Sequence, residues 1–136
     1  MARATTPDVE QLLSDYFAVR SGDLSKLDSI SESFTFVHPL GEIHGPEELV
    51  AMQDEQEDAF PDGELSVDEI LTGDDVAMWE WTLTGTHEGE WMEQPPTGRE
   101  VSFSGMSKTT IVDGKIEENR AYFDAQDVLS QLGATD

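Results

Sequence analysis

Apolar residues at helical spacing predict four helices in this chain. The predicted helices begin near residues 7, 24, 45 and 125, and the third continues to about residue 60. Thr6 and Asp23 stand where the first two helices need an N-cap residue, and Gly133 stands where the last helix ends. The apolar stripe of the first helix consists of Val9, Leu12, Leu13, Tyr16 and Val19.

Alternating apolar and polar residues predict five strands. They span residues 33–38, 65–71, 76–86, 101–112 and 115–123, with a long loop at 87–99. In the strand at 76–86, Trp79 and Trp81 share one face while Met78 and Glu80 share the other, and the alternation leaves open which face is buried. Helices followed by a run of strands are typical of an α+β domain. We therefore expect a curved antiparallel sheet wrapped around the N-terminal helices.

The composition favours one small domain with a strongly acidic surface. The chain has 136 residues, enough for a single core, so we expect one domain over residues 1–136. The 30 Asp and Glu residues against 7 Lys and Arg give a formal net charge of -23, which disfavours nucleic acid and anionic membranes as partners. The acids are spread along the whole chain, which favours adaptation to a salt-rich cytoplasm over an acidic face for a basic partner.

The residue types present limit the chemistry and the compartment. The chain has no Cys, so disulfides, thiolate nucleophiles and Cys-ligated zinc are excluded. No apolar stretch approaches the roughly 18 residues of a membrane span, and the first residues lack a signal-peptide apolar region, so we expect a cytoplasmic protein. His38 and His44 lack the helical spacing of zinc motifs, and we expect neither a metal nor a cofactor.

The most informative feature is a set of charged residues in the last predicted hairpin. Asp113 and Gly114 predict a two-residue turn, and an uninterrupted register from this turn fixes which side chains share a face. The inner, more apolar face then carries Ile116, Glu118, Arg120, Tyr122 and Asp124. A buried charge is costly unless it is paired or serves a purpose.

Two interpretations of these charges stay open. In the first, Glu118 and Arg120 form a structural ion pair, and Asp124 caps the helix that follows it. In the second, an apolar pocket raises the pKa of Asp124 so that it exchanges protons near neutrality, while Arg120 and Tyr122 orient a carbonyl group or its enolate.

Five strings of residues, in the order of the predicted elements, carry a resemblance to a known family. They are Tyr16-Phe17 followed by Gly22-Asp23-Leu24, the run from Trp81 to His87 with Gly89-Glu90, Pro96-Thr97-Gly98-Arg99, Asp113-Gly114-Lys115-Ile116, and Tyr122-Phe123-Asp124. The chain resembles the SnoaL-like polyketide cyclases of the nuclear-transport-factor-2-like superfamily, whose fold is a cystatin-like α+β cone. The resemblance implies a cofactor-free intramolecular aldol closure, with Asp124 as general acid and base and Tyr16 in the cavity. It also implies a homodimer formed through the outer face of the sheet.

Together these observations predict a pocket for a small hydrophobic carbonyl compound, with Asp124 as the catalytic residue. The expected pocket residues are Tyr16, Phe36, His38, Phe103, Ser107, Arg120 and Tyr122. His38 shares a strand face with two Phe residues, so it is either a core histidine or a hydrogen-bond donor or second acid/base at the pocket. The alternative function is a non-catalytic module of the same fold that only holds a hydrophobic ligand.

Overall fold

The helices and strands follow the predicted order, with one added strand. The computed structural model describes residues 9–91 and 93–133, so the predicted cap Thr6 lies outside the described residues. The helices are α1 (Val9–Arg20), a short 3-10 helix (Leu24–Ser29), α2 (Gly45–Ala59) and α3 (Ala125–Gln131). The strands are β1 (Ile30–His38), β2 (Gly41–His44), β3 (Glu64–Thr72), β4 (Val76–Thr86), β5 (Glu100–Val112) and β6 (Lys115–Phe123).

Local signals explain where the helices begin. Asp23 caps the 3-10 helix as predicted, since its carboxylate accepts a hydrogen bond from the Ser25 backbone N–H at 3.1 Å. α2 has Pro46 in its first turn, and the Glu48 carboxylate accepts a hydrogen bond from the His44 backbone N–H at 2.8 Å. Both arrangements satisfy backbone donors that a helix start leaves free.

The added strand, β2, escaped prediction because its four residues are mostly exposed and show no apolar alternation. It forms a tight hairpin with β1, in which His38 pairs with Gly41. β1 is also longer than predicted. Ile30, three residues before the predicted start of the strand at residue 33, begins it and is buried.

All six strands form one curved, open sheet in the order β2-β1-β6-β5-β4-β3. Neighbouring strands are antiparallel except β1 and β6, which run parallel. The expectation of a purely antiparallel sheet is therefore wrong. The inner face of the sheet packs against α1 and α2. Trp79 and Trp81 lie on this face and are 2% and 6% exposed, whereas Met78 on the opposite face is 48% exposed. The tryptophan face of β4 is therefore the core face.

A single extra residue in β6 overturns the predicted register of the last hairpin. Ile111 pairs with Ile116 as expected, but Thr110 then pairs with Glu118, which leaves Glu117 as a bulge. A one-residue shift moves every following side chain to the other face of the sheet. Asn119, Ala121 and Phe123 consequently face the core.

The prediction of charged residues on the inner face, which assumed an uninterrupted register, is therefore wrong. Tyr122 lies on the outer face and is 60% exposed. Arg120 and Glu118 form a partly exposed ion pair there, with Nη2 3.3 Å from Oε2. This pair holds the Arg120 pKa above its ordinary value, through the hydrogen bond to Glu118 and its charge. The first interpretation, a structural ion pair, describes these two residues.

Candidate functional site

A cavity of about 750 Å³ lies between the inner face of the sheet and helices α1 and α2. Its volume is within the range, roughly 300–1,000 Å³, of pockets that bind small molecules. Much of its wall is aromatic. The rings are those of Phe36, Phe60, Trp79, Trp81, Trp91, Phe103 and Phe123. Such a wall suits a flat, apolar ligand.

Packing holds the Trp81 ring in place on this wall. Its ring centroid is 5.8 Å from that of Phe103 and 5.9 Å from that of Phe123, both in edge-to-face geometry. The indole N–H donates to the Ser107 hydroxyl at 2.9 Å. Gly105 makes room for the ring, because a Cβ atom at that position would lie only 2.5 Å from a Trp81 ring carbon. Ring packing, one hydrogen bond and the space left by Gly105 thus fix the position of the Trp81 ring.

Arg20, the last residue of α1, brings a positive charge to the cavity. Its guanidinium donates hydrogen bonds to Tyr16 Oη at 3.2 Å, Gln53 Oε1 at 3.3 Å and Gln56 Oε1 at 3.5 Å. The two glutamines are one turn apart on α2, so both face Arg20. The guanidinium also lies 5.1 Å from the centre of the Phe36 ring, a cation–π distance.

His38, at the end of β1, brings a neutral hydrogen-bond donor to the same cavity. Burial lowers its pKa below the ordinary 6.5, and the nearby Arg20 charge lowers this pKa further. Its Nδ1 accepts a hydrogen bond from the Leu40 backbone N–H at 3.2 Å. In a neutral imidazole whose Nδ1 accepts, the proton is on Nε2. His38 therefore offers an N–H and no charge to a ligand.

A buried chain of hydrogen bonds fixes the floor of the site. Trp79 Nε1 donates to Thr109 Oγ1 at 3.0 Å, and Thr109 Oγ1 donates to Asn119 Oδ1 at 2.8 Å. Asn119 Nδ2 then donates to Tyr16 Oη at 3.1 Å, where the Arg20 guanidinium also binds. Tyr16 and Thr109 are fully buried, and Asn119 is 1% exposed. This series of hydrogen bonds connects Trp79, on the cavity wall in β4, to the Arg20 guanidinium at the end of α1.

The structure brings together only some of the residues that the sequence predicted for the site. Phe36, His38, Phe103 and Ser107 line the cavity. Tyr16 lies behind the wall and contributes its hydroxyl to the buried chain. Arg120 and Tyr122 do not line the cavity, because the bulge at Glu117 turns them outward.

Asp124 lies outside the cavity as well. Its exposed carboxylate caps α3 by accepting a hydrogen bond from the Asp127 backbone N–H at 3.1 Å. The expectation of an apolar pocket around this carboxylate is wrong, because the chain leaves the sheet at Phe123 and turns into α3. Capping, the simpler of the two interpretations, accounts for its position.

Sequence reasoning missed four polar residues of the site: Arg20, Gln53, Gln56 and Asn119. Asn119 was assigned to the outer face by the uninterrupted register. Gln53 lies inside the predicted third helix, but a lone polar residue there carries no signal of its own. The spacing of Tyr16 and Arg20, four residues apart on one predicted helix, was the one available hint that Arg20 lies near the core.

His87, near the cavity, has hydrogen-bond partners at only one of its two ring nitrogens: its Nε2 is buried and has no partner within residues 9–91 and 93–133. His87 is fully buried behind Phe60, with ring centroids 5.5 Å apart, and its Nδ1 accepts a hydrogen bond from the Thr97 backbone N–H at 3.3 Å. Among residues 9–91 and 93–133, no group of three or more His, Asp and Glu side chains could hold a metal ion. No helix in this part of the chain is long and apolar enough to cross a membrane.

A family model described as "SnoaL-like polyketide cyclase" matches residues 8–132. The chain belongs to this family. Part of it is similar to the nogalonic acid methyl ester cyclase of Streptomyces nogalater, with 43% identity over 51 residues. That alignment covers 38% of this chain and 38% of the enzyme, well under half the length of either.

Two solved structures are similar to this chain in fold. AclR, a candidate hydroxylase from Streptomyces galilaeus, superposes with a TM-score of 0.75 at 29% identity, over 93% of this chain and 81% of AclR. A candidate SnoaL-like polyketide cyclase from Jannaschia sp. CCS1 superposes with a TM-score of 0.81 at 19% identity, over 100% of this chain and 99% of the other. The second likeness concerns the fold, which is the predicted cone. Proteins of this family bind small hydrophobic substrates, and the aromatic cavity fits that role.

Proposed function

We propose that this chain is a cofactor-free enzyme that cyclises or isomerises a small carbonyl or ester compound by proton transfer inside the cavity. The observation that supports this most directly is His38, a neutral N–H donor on the cavity wall beside the Phe36 and Phe123 rings. A donor in a desolvated site stabilises negative charge that develops on a carbonyl oxygen more strongly than it does in water.

The proposed reaction begins when the substrate carbonyl oxygen accepts a hydrogen bond from His38 Nε2. Loss of a proton from the neighbouring carbon then places negative charge on that oxygen, where the N–H group stabilises it. The enolate carbon attacks a second carbonyl of the same molecule, and the oxygen formed there takes up a proton. One proton is removed and one is returned, so the reaction is an isomerisation that needs no oxidant.

The carboxylates that line the cavity lie at its solvent-exposed rim. Glu57, Asp58 and Glu64 line the cavity and are exposed to solvent. We therefore assign the acceptance of the carbon-bound proton to a carboxylate of this rim, which is a stronger base than water, and we assign Asp124 the role of helix cap. The aromatic wall orients the substrate so that its two reacting carbons meet.

Hydrogen exchange at carbon tests this proposal without knowledge of the natural substrate. The probe is methyl 3-(2-naphthyl)-3-oxopropanoate, dissolved in D₂O. NMR follows the replacement by deuterium of the protons on the carbon between its two carbonyl groups. We expect the wild-type protein, dialysed against a chelator, to accelerate deuterium incorporation. The His38→Phe variant keeps a ring of similar size without the N–H, and we expect it to lose most of the acceleration.

Two variants serve as controls. His44→Phe removes an exposed histidine that pairs with Glu42 and should leave the exchange rate unchanged. Asp124→Asn removes the carboxylate but keeps a residue that caps helices well, so it should also retain the rate. Loss of exchange in Asp124→Asn with full activity in His38→Phe would refute the assignment and return catalysis to Asp124.

The alternative function, a ligand-binding module without catalysis, is favoured by one observation: the described lining carries no carboxylate away from the rim. The same probe separates the two functions. A module would bind the naphthyl ester, quenching the fluorescence of Trp79 and Trp81, while deuterium exchange stayed at the rate in buffer. Binding with accelerated exchange supports the enzyme.

A homodimer through the outer face of the sheet is also part of the proposal. Four exposed apolar side chains lie there on adjacent strands. They are Leu71 and Met78, which pair across β3 and β4, and Met106 and Tyr122, which pair across β5 and β6. We expect light scattering to give a dimer mass for the wild type and a monomer mass for Met106→Glu. A monomeric wild type would refute this part.

A further inference from the structure

Arg20 stands out because its partners are neutral in a chain with a large excess of acids. The chain holds 30 Asp and Glu against 7 Lys and Arg, so a carboxylate partner is easy to supply at almost any position. Among the described residues, however, no carboxylate forms an ion pair with Arg20, and its hydrogen bonds go to a phenol and two amides. Arg120, by contrast, is paired with Glu118 on the outer face.

Structural roles explain part of this arrangement. A cation at the last residue of α1 is stabilised by the helix dipole, and the Phe36 ring adds a cation–π contact. The bonds to Tyr16, Gln53 and Gln56 occupy three N–H groups, which leaves the remaining N–H groups of the guanidinium for another acceptor. Because Arg20 lines the cavity, that acceptor is a ligand or water.

We propose that Arg20 is an anion-recognition residue, and that the ligand of this cavity carries a carboxylate or an equally acidic group next to its flat apolar skeleton. The guanidinium fork matches a carboxylate in shape, and charge-assisted hydrogen bonds are about twice as strong as neutral ones. Gln53, Gln56 and Tyr16 hold the fork in one orientation and add no charge that would cancel it.

This inference rests on the proposed function, because it describes the substrate class of the same cavity. Both Arg20 and His38 lie next to the Phe36 ring, whose centre is 5.1 Å from the guanidinium carbon and 4.9 Å from the imidazole centre. A bound molecule would therefore present its acidic group to Arg20 and its reacting carbonyl oxygen to His38. The substrate class is an aromatic or polycyclic keto acid, or a keto ester with a second, acidic group.

The test compares two probes that differ in charge and little in shape: 2-naphthoate, ionised at neutral pH, and 2-naphthamide. Affinities are measured by calorimetry at one fixed ionic strength. We expect the wild type to bind 2-naphthoate at least roughly tenfold more tightly than 2-naphthamide. A tenfold ratio of affinities corresponds to about 1.4 kcal/mol. In Arg20→Met this preference should vanish, because naphthoate binding falls while naphthamide binding stays within about threefold of wild type.

Arg120→Met is the matched control. It removes one positive charge from the net total, as Arg20→Met does, but from a residue outside the cavity. We expect it to keep the preference for naphthoate. Arg20→Lys keeps the charge without the fork, and an intermediate preference is expected.

Equal affinity of the wild-type protein for the two probes would overturn the proposal, and this result needs no variant that might fold poorly. A preference that survives in Arg20→Met would overturn it as well. The outcome is separate from the hydrogen-exchange test of the proposed function. A protein that prefers the carboxylate but does not accelerate exchange keeps the anion subsite and loses the catalytic role.

Discussion

The buried chain of hydrogen bonds between Trp79 and Tyr16 gives a stability prediction of definite size. Thr109→Val replaces the hydroxyl with a methyl group of nearly equal volume in a fully buried position. Trp79 Nε1–H then loses its acceptor, and Asn119 Oδ1 loses its donor. An unsatisfied buried polar group costs about 1–3 kcal/mol, so two such groups should lower the free energy of unfolding by about 2–6 kcal/mol.

Urea unfolding followed by tryptophan fluorescence measures this change. The midpoint should fall at an unchanged slope, because the surface exposed on unfolding stays the same. The melting temperature should drop by about 6–24 °C, given that about 1 kcal/mol corresponds to about 3–4 °C for a chain of this length. Both figures follow from two groups left without partners.

The neighbouring residue provides a matched control. Thr110 precedes the bulge, its side chain points to the opposite face from Thr109, and its hydroxyl makes no hydrogen bond within the described residues. Thr110→Val makes the same chemical change and should alter stability by less than about 0.5 kcal/mol. If the two variants lost equal stability, or if Thr109→Val lost under about 1 kcal/mol, the hydrogen-bonded floor of the cavity would not have the role described.

Four further predictions concern packing, capping, pH and salt. Gly105→Ala places a methyl group against the Trp81 ring and should cost about 1–3 kcal/mol in urea unfolding; an unchanged midpoint would contradict this close approach. Asp124→Ala should cost about 1 kcal/mol and Asp124→Asn almost nothing, as measured in the same way. The lowered pKa of His38, caused chiefly by burial and next by Arg20, means that the unfolded chain binds this proton more readily than the folded one. The stability that depends on an unprotonated His38 is therefore fully present above pH 6.5 and is lost as the pH falls below that value. We expect the free energy of unfolding to fall less steeply with falling pH in His38→Phe than in the wild type. Because the net charge is -23, molar NaCl, with a Debye length of about 3 Å, should raise the melting temperature, and a melting temperature indifferent to salt would argue against adaptation to concentrated salt.

Hydrophobic patterning predicted those elements in which one face is buried and the other exposed. The strands Val76–Thr86 and Lys115–Phe123 have the predicted bounds: apolar alternation marks the first, and the Asp113-Gly114 turn and the start of α3 mark the two ends of the second. β2 gave no such signal, since its residues lie at the edge of the sheet and are mostly exposed. The parallel pairing of β1 with β6 joins strands far apart in the sequence, and no local pattern contains that information.

The site was less predictable because one residue changes its composition. Alternation predicts which side chains share a face only while the register is uninterrupted, and the bulge at Glu117 interrupts it. In the predicted register the core face held Glu118 and Arg120, and Phe123 lay outside. A shift of one residue exchanges these charges for Asn119, Ala121 and Phe123. The charges on an apolar face were therefore evidence of a bulge and not of a catalytic centre.

The corrected register changes the meaning of the charge as well. With Glu118 and Asp124 at the surface, the Arg20 guanidinium is the charged group that remains on the cavity wall away from the rim, among the residues that the structure describes. A chain with a net charge of -23 repels an anionic ligand at long range, so recognition of such a ligand depends on short-range contacts. Partly buried contacts are screened by salt much less than the exposed surface charges are. In concentrated salt the repulsion would fade while the contact with Arg20 persisted, so an acidic surface and the proposed anion-binding cavity are compatible in one chain.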